Sequence, residues 1–271
     1  MTTELSIIIL HHHSPALLKL CLNSIRKYPP AVQYEVIVID SQTYRKAQDL
    51  IQESFPWVTL LPVLKNTGYS HGVNLGLQKS TGEYLLILNP DIVLTQSAFD
   101  KMLNFIKLRP DVGLVAPQLM NFDGTVQNSY FRFYTPMTVL ARRLPLHRLW
   151  PFKKMLAEFL MKDSNPDEMQ APDWILGGAM LTSRTALERV GPLDERFFMY
   201  FEDVDWSRRF WQNGYKVIYY PAAKMYHAHK RESKSKFWIA DIFFNQVTRW
   251  HIASAIKYFV KYRKYPHSVN A

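Results

Sequence analysis

Short, nearly continuous apolar runs separated by helical patterns constrain this chain most. Leu5–Leu10 (LSIIIL), Tyr34–Ile39 (YEVIVI), Trp57–Val63, Tyr84–Leu88 (YLLIL) and Val112–Ala116 (VGLVA) each have strand length. A strand wetted on one face alternates apolar and polar residues; a strand buried on both faces does not. Between the runs, Pro15–Lys27 carries Leu17, Leu18, Leu20, Cys21, Leu22 and Ile25 at mainly helical spacing. Ser70–Lys79 and Gln96–Leu108 read as further helices, the latter closed by Arg109-Pro110. This alternation predicts an α/β fold with a mainly parallel sheet flanked by helices.

Ligands of such sheets bind outside the carboxyl ends of the strands. His11-His12-His13, Asp40 and Asn89-Pro90-Asp91 all fall at such ends. A carboxylate there can hold a hard divalent cation with phosphate oxygens, although Asn-Pro-Asp is also good turn chemistry. Lys65–Gly76 is a glycine-bearing loop that opens a helix, where backbone N–H groups can approach phosphate. It lacks a Walker ending and does not follow the first strand as a dinucleotide fingerprint does. His227 and His229 follow the strand-like run Val217–Pro221; imidazole can complete a metal shell, or simply be solvated.

The run from Gly191 to Trp206 sets Glu202, Asp203 and Asp205 at the head of an amphipathic helix that stops near Gly214. Acids in a first turn meet unpaired N–H groups and the positive dipole end, so capping explains one of them. Asp205 and Arg209 have the spacing of an i,i+4 surface pair. Positions 202 and 205 share a face while 203 points elsewhere, which does not choose a reacting acid.

The 271 residues are 48% hydrophobic and 14% aromatic, enough for a sizeable core. A single cysteine, Cys21, excludes an intrachain disulfide and a cysteine metal cluster, and reads as a buried apolar side chain. No leader is visible, and no apolar stretch reaches the roughly 20 residues that span a bilayer. A cytoplasmic protein is expected, free or at the inner face of the cell membrane. The net charge of +10 suits an anionic partner. No recognised nucleic-acid module appears, so nucleic acid is not the expected one. Two segments are basic and aromatic: an insertion, Met137–Lys162, and a C-terminal stretch, Lys236–Tyr262. Either can lie on an anionic membrane or pack on the core or a second subunit.

Taken in order, Leu5–Leu10, Val36–Asp40, Asn66–Gly76, Leu88–Asp91, Trp174–Arg184 (WILGGAMLTSR), Gly191–Gly214 and His227 resemble family 2 glycosyltransferases, especially the bacterial rhamnosyltransferase-like branch. The resemblance covers about residues 4–233 and implies a GT-A fold. The division it implies is a nucleotide-sugar-binding half at 1–116, an acceptor-binding half at 117–233 with an insertion at about 137–165, and a helical tail at 234–271. It implies a UDP- or dTDP-sugar donor, Mg2+ or Mn2+, inversion at the anomeric carbon, and a glycan or polyprenyl-diphosphate-linked acceptor. By the same resemblance Asp203 is the general base, Asp40 contacts the nucleobase, and Asp91 with His227 binds the metal. Asn66, Gly68, Gly72, Asn74, Trp174, Gly178 and Glu202 fall in its substrate-binding blocks.

The chain departs from the pattern at three places. Asn89 stands where many relatives have an acid, His11-His12-His13 replaces an Asn-Tyr-Asn type, and Ser41–Arg45 lacks the usual Asn and Asp-Gly. These leave room for a second reading, a catalytically silent relative that binds a glycan or partner.

Overall fold

The computed structural model describes residues 2–42, 45–143, 149–228 and 245–264. The segment 229–244, with His229, and the last seven residues lie outside them, as do Thr43, Tyr44 and His147, so that much of the expected tail at 234–271 is not described.

Along the chain run β1 (Leu5–His11), α1 (Pro15–Lys27), β2 (Tyr34–Ser41), α2 (Arg45–Ser54), β3 (Val58–Val63), α3 (Tyr69–Lys79), β4 (Tyr84–Leu88), β5 (Ile92–Leu94), α4 (Ala98–Lys107) and β6 (Val112–Met120). There follow β7 (Tyr130–Phe131), α5 (Pro136–Arg143), α6 (Trp150–Phe159), β8 (Trp174–Ile175), β9 (Ala179–Ser183), α7 (Arg184–Val190), α8 (Glu202–Gln212), β10 (Lys216–His227) and α9 (Gln246–Tyr262). The main sheet has eight strands in the order β3-β2-β1-β4-β9-β6-β10-β5. β9 runs antiparallel to both β4 and β6, and β5 antiparallel to β10; the other pairings are parallel. The mainly parallel sheet expected from the apolar runs is present, and the reversed β9 at its centre is a feature the runs did not show.

Helices cover both faces. Leu18, Leu22, Phe99 and Met102 pack with Ile7, Ile9, Val36 and Val38 on one side. Val73, Leu77, Trp206 and Phe210 pack with Ile8, Ile37 and Ile39 on the other. Burying each large aliphatic side chain is worth about 1.5–3 kcal/mol, which is why the interior strands tolerate so few polar residues. Cys21 is buried, as its place on α1 suggested, and burial pushes its thiol up, with the Asp91 charge adding to the effect. α3 sits close on the sheet: a Cβ at Gly76 would lie 2.4 Å from Ile8 Cγ2, and one at Gly72 would lie 2.5 Å from Leu10 Cδ1.

A third cluster joins α5, α6, α8 and α9. Phe131, Tyr134, Phe159, Trp174, Phe201, Val204, Tyr258 and Tyr262 form one aromatic core. The described part of the C-terminal stretch therefore packs against the body of the fold along one face. Arg249, Ile256, Lys257, Val260 and Arg263 look outward from α9. Among the described residues no helix is long and apolar enough to cross a membrane.

Candidate active site

Five elements converge at the carboxyl edge of β4. Asn89 and Asp91 leave the end of β4, and His227 ends β10. Gly177 and Gly178 turn between β8 and β9. Tyr69 opens α3, and Glu202 and Asp203 open α8.

The backbone locks these pieces together. Asn89 N donates to Gly178 O at 2.9 Å, and Ala228 N donates to Asp91 O at 3.0 Å. Gly177 N donates to Asp203 Oδ2 at 3.1 Å, and Val204 N donates to Asp203 Oδ1 at 2.8 Å. The Tyr69 hydroxyl donates toward Gly177 O at 3.1 Å and lies 3.3 Å from Asn89 Oδ1. A Cβ on Gly177 would sit 3.6 Å from Asp203 Oδ2, and one on Gly178 would sit 3.7 Å from His227 Cε1. The two-glycine turn thus separates the Asp203 carboxylate from the Asp91–His227 pair by one residue of chain.

Burial dominates the electrostatics. It raises the Asp203 carboxyl from 3.8 to about 6, against the opposing hydrogen bonds from Gly177 and Val204. Glu202 is pushed well above the carboxylate range, first by burial and then by the Asp203 charge. Burial likewise pushes the Tyr69 hydroxyl up, and the charges of Glu202, Asp203 and Asp91 add to it. Tyr69 therefore senses the acids on both sides of the turn. The helix carrying Glu202 and Asp203 begins from two left-handed residues, Tyr200 (φ 69°) and Phe201 (φ 67°). Such conformations cost roughly 1–3 kcal/mol each and persist where surroundings over-determine them. Here Phe201 is wedged against Tyr134, Tyr258 and His251.

Asp91 Oδ2 lies 3.4 Å from His227 Nε2, and Asp91 Oδ1 is buried with no hydrogen-bond partner. An orphaned carboxylate oxygen costs free energy unless something positive meets it. A carboxylate and an imidazole side by side suit Mg2+ or Mn2+, which take one or two carboxylates and fill the remaining positions with phosphate oxygens and water. No group of three or more acidic, histidine or cysteine ligands occurs among the described residues. Asp91 and His227 would hold such an ion only together with oxygens of the substrate.

Other residues expected at the site have different surroundings. Asp40 is fully buried, 2.8 Å from His11 Nδ1, while His11 Nε2 accepts from Ser14 N at 3.0 Å. His12 reaches Ser41 O and His13 reaches Gln42 Oε1, so two of the sequence departures pair with one another. Asn66 Oδ1 accepts from Gly68 N at 3.0 Å, and Tyr69 N donates to Phe198 O at 2.6 Å. Those loop amides are thus engaged by protein in this conformation. Gly68 has φ 92° and lies where any Cβ would strike Phe198. Asn74 exchanges hydrogen bonds with the backbone of Leu193 and binds Glu195. Together with Gly72 it docks α3 between the sheet and the 191–201 loop. Trp174 is buried in the aromatic cluster with its Nε1 donating to Arg132 O. Asp205 is fully buried, so its pairing with Arg209 is an interior contact and not a surface one. Sequence reasoning passed over Tyr69, Gly177 and Gln127. The first two lie inside quoted motifs as linkers, and Gln127 carries no pattern at all.

A mainly parallel sheet covered by helices, with acids and a histidine gathered at its carboxyl edge, defines a GT-A glycosyltransferase fold. The chain matches the glycosyl transferase family 2 profile over residues 6–168, and an overlapping profile, Glycosyltransferase (GlcNAc), over residues 90–270. It belongs to glycosyl transferase family 2. It is 27% identical over 222 residues to the N-acetylglucosaminyl-diphospho-decaprenol L-rhamnosyltransferase of Mycobacterium tuberculosis, covering 74% of this chain and 68% of that one. It is 26% identical over 204 residues to rhamnosyltransferase WbbL of Escherichia coli, covering 72% and 71%. Similar solved structures include GalNAc-T7 with UDP, GalNAc and Mn2+ (TM-score 0.64, 16% identity, 89% of this chain and 48% of that one). S. aureus TarS is another (TM-score 0.60, 14% identity, 85% and 37%). The chain spans about half or less of these structures, and they bear on the fold alone.

Proposed function

We propose that this chain is an inverting, divalent-cation-dependent glycosyltransferase of cell-envelope polysaccharide synthesis. It would move a sugar, with rhamnose the candidate its relatives' names favour, from a UDP- or dTDP-sugar to a hydroxyl of a glycan or polyprenyl-diphosphate-linked acceptor. The observation that carries the reading is the Gly177–Gly178 turn, with Asp203 hydrogen-bonded on one side and Asp91 beside His227 on the other.

Inversion needs a base on the face of the sugar opposite the leaving group. Asp203 suits that role. Its two oxygens are oriented by Gly177 and Val204, and a value of about 6 leaves it ionised near neutral pH yet basic enough to take a proton. Burial pushes the Glu202 carboxyl well above the ordinary carboxylate range, which suits a group that donates to an acceptor hydroxyl. Asp91 and His227 would bind the Mg2+ or Mn2+, which when present supplies Lewis-acid neutralisation of the departing diphosphate. Tyr69 holds the turn that spaces the two halves.

On this reading residues 1–116 bind the donor, 117–233 the acceptor, and within the tail at 234–271 the outward basic and apolar face of α9 meets the acidic inner face of the membrane. The test is transfer from a panel of UDP- and dTDP-sugars, with and without Mn2+, by the wild type and by Asp203→Asn. The variant is expected to lose turnover by ~10²–10⁴-fold while still binding donor. Wild-type turnover in Asp203→Asn would remove the mechanism.

A further inference from the structure

A chain of hydrogen bonds runs from a surface turn to the buried face of His227. After β6 the chain turns through Asp123 and Gly124, the latter at φ 85°. Asp123 Oδ1 accepts from Thr125 N at 2.9 Å and from Thr125 Oγ1 at 2.6 Å. These bonds hold the Asp123 carboxyl below its ordinary range, so it is an acceptor only.

That end sets the sense of everything behind it. The Thr125 hydroxyl spends its proton on Asp123, so its oxygen accepts from Asn121 Nδ2 at 2.8 Å. Asn121 therefore turns Oδ1 toward Gln127, whose Nε2 donates to it at 2.7 Å. The same Nε2 donates to the main-chain oxygen of His227 at 2.9 Å, a second group that can only accept. Gln127 is left with one orientation, its Oε1 2.9 Å from His227 Nδ1. An amide oxygen cannot donate, so Nδ1 carries the hydrogen. In a neutral imidazole the lone pair then belongs to Nε2, the nitrogen beside Asp91 Oδ2.

We propose that Gln127, aligned by Asn121, Thr125 and Asp123, is a positioning residue that fixes His227 in the Nδ1–H tautomer, so that Nε2 presents its lone pair beside Asp91 to a divalent cation. The inference rests on the reading of Asp91 and His227 as cation ligands. Partners of this kind on a ligating histidine are worth about 10–100-fold in metal affinity. Gln127 is half-buried and Thr125 exposed, so substitutions there leave the core untouched.

The experiment combines long-range 15N–1H spectra of the histidine rings at pH 8 with calorimetric titration of Mn2+ in the presence of UDP. The His227→Asn variant assigns the His227 signals and its share of Mn2+ binding. The wild type is expected to show His227 as the Nδ1–H form. Gln127→Met is expected to mix the tautomers and weaken Mn2+ binding by ~10–100-fold. Gln127→Glu keeps an acceptor on Nδ1 and is expected to retain the tautomer, while its second oxygen, set against Asn121 Oδ1 and the His227 carbonyl, lowers stability. Thr125→Val, at the far surface end, is expected to release Asn121 and partly reproduce Gln127→Met. An Nε2–H ring in the wild type, or undiminished Mn2+ binding by Gln127→Met, overturns the role given to Gln127. Undiminished Mn2+ binding by His227→Asn, with the wild-type His227 ring found in the Nδ1–H form, overturns the cation reading beneath it instead.

Discussion

The Tyr262 hydroxyl donates to Asp205 Oδ1 across 2.8 Å, tying the last turn of α9 to the first turn of the helix that carries Asp203. Lys261 Nζ reaches the same oxygen, and Arg209 Nε donates to Oδ2 at 2.9 Å. Arg208 lies 4.2 Å from the Tyr262 ring centroid and donates to the Tyr258 hydroxyl. Ser254 and Lys257 donate to the carbonyls of Met199 and Arg196, in the loop that leads into α8. The C-terminal helix is therefore part of what holds Tyr200 and Phe201 in their strained conformation.

Removing Asp205 would leave Lys261 to Asp194 and Arg209 to the carbonyls of Val190 and Pro192, and would strip the Tyr262 hydroxyl of its acceptor. Leaving a buried polar group unsatisfied costs about 1–3 kcal/mol. Asp205→Ala is expected to lose stability of that order in urea unfolding and to lower turnover, because α8 and its loop loosen together. A variant as stable as the wild type would show that the clamp is ornamental.

Acid at position 203 has two opposite consequences. As a base it must be ionised, so turnover should fall about tenfold per pH unit below pH 6. For stability the sign reverses. The folded state holds the Asp203 proton more tightly than the unfolded chain, whose value is near 3.8. The contribution is fully present below about pH 4 and is lost as pH rises through about 6. The ionised group thus costs the fold up to about 3 kcal/mol at neutral pH. Asp203→Asn keeps only one of the two acceptors, so the test is the change with pH: its unfolding midpoint relative to wild type should be higher at pH 8 than at pH 4. A difference that does not move with pH would contradict the burial argument.

Much of this arrangement was legible in the residues, and for identifiable reasons. β1, β2 and β4 announce themselves because burial on both faces forces apolar runs. Glu202, Asp203 and Asp91 stand out because acids beside apolar residues are costly without a purpose. β9 did not declare its direction, since whether AMLTS runs with or against β4 depends on partners about 90 residues away. α2 is amphipathic but largely polar, and its apolar side is only the short stripe Ala47, Leu50 and Ile51, which stands out little in a polar stretch. The glycines of α3 suggested a phosphate cradle. Their spacing also fits a helix pressed on a sheet, and only the contacts with Leu10, Ile8 and Ile39 show that second use. The partners of Asp40 and Asp205 lie far along the chain, so neither burial could be read locally.

The close approach of α3 can be tested where it is tightest. At Gly76 an added methyl would meet Ile8 Cγ2 at 2.4 Å and Ile39 Cδ1 at 2.6 Å. Alanine gains about 1 kcal/mol of helix propensity over glycine, whereas overpacking a core costs typically 1–3 kcal/mol. Both clashing atoms belong to β-branched side chains in the middle of the sheet, which have little room to turn. Gly76→Ala is expected to destabilise by about 1–2 kcal/mol net in denaturant unfolding. A stabilised variant would mean that α3 can lift off the sheet at no cost.

Lifting α3 has a consequence at the site, because Tyr69 begins that helix. Its hydroxyl is the only side-chain donor described on Gly177 O, and Gly177 N in turn orients Asp203. Tyr69→Phe removes one hydroxyl and keeps the ring, so the core should be little disturbed. Loss of the hydroxyl leaves Gly177 O without that donor, so stability should fall by about 1–3 kcal/mol. Turnover is the more sensitive measure. With the Gly177 carbonyl released, the turn can rotate, and the hydrogen bond that points Asp203 toward an acceptor weakens. A fall in kcat of about tenfold with donor affinity unchanged is the expected result, since a misplaced base costs the chemical step and not the donor complex. A rise in KM for the donor with kcat intact would instead make Tyr69 a donor contact and detach it from Asp203.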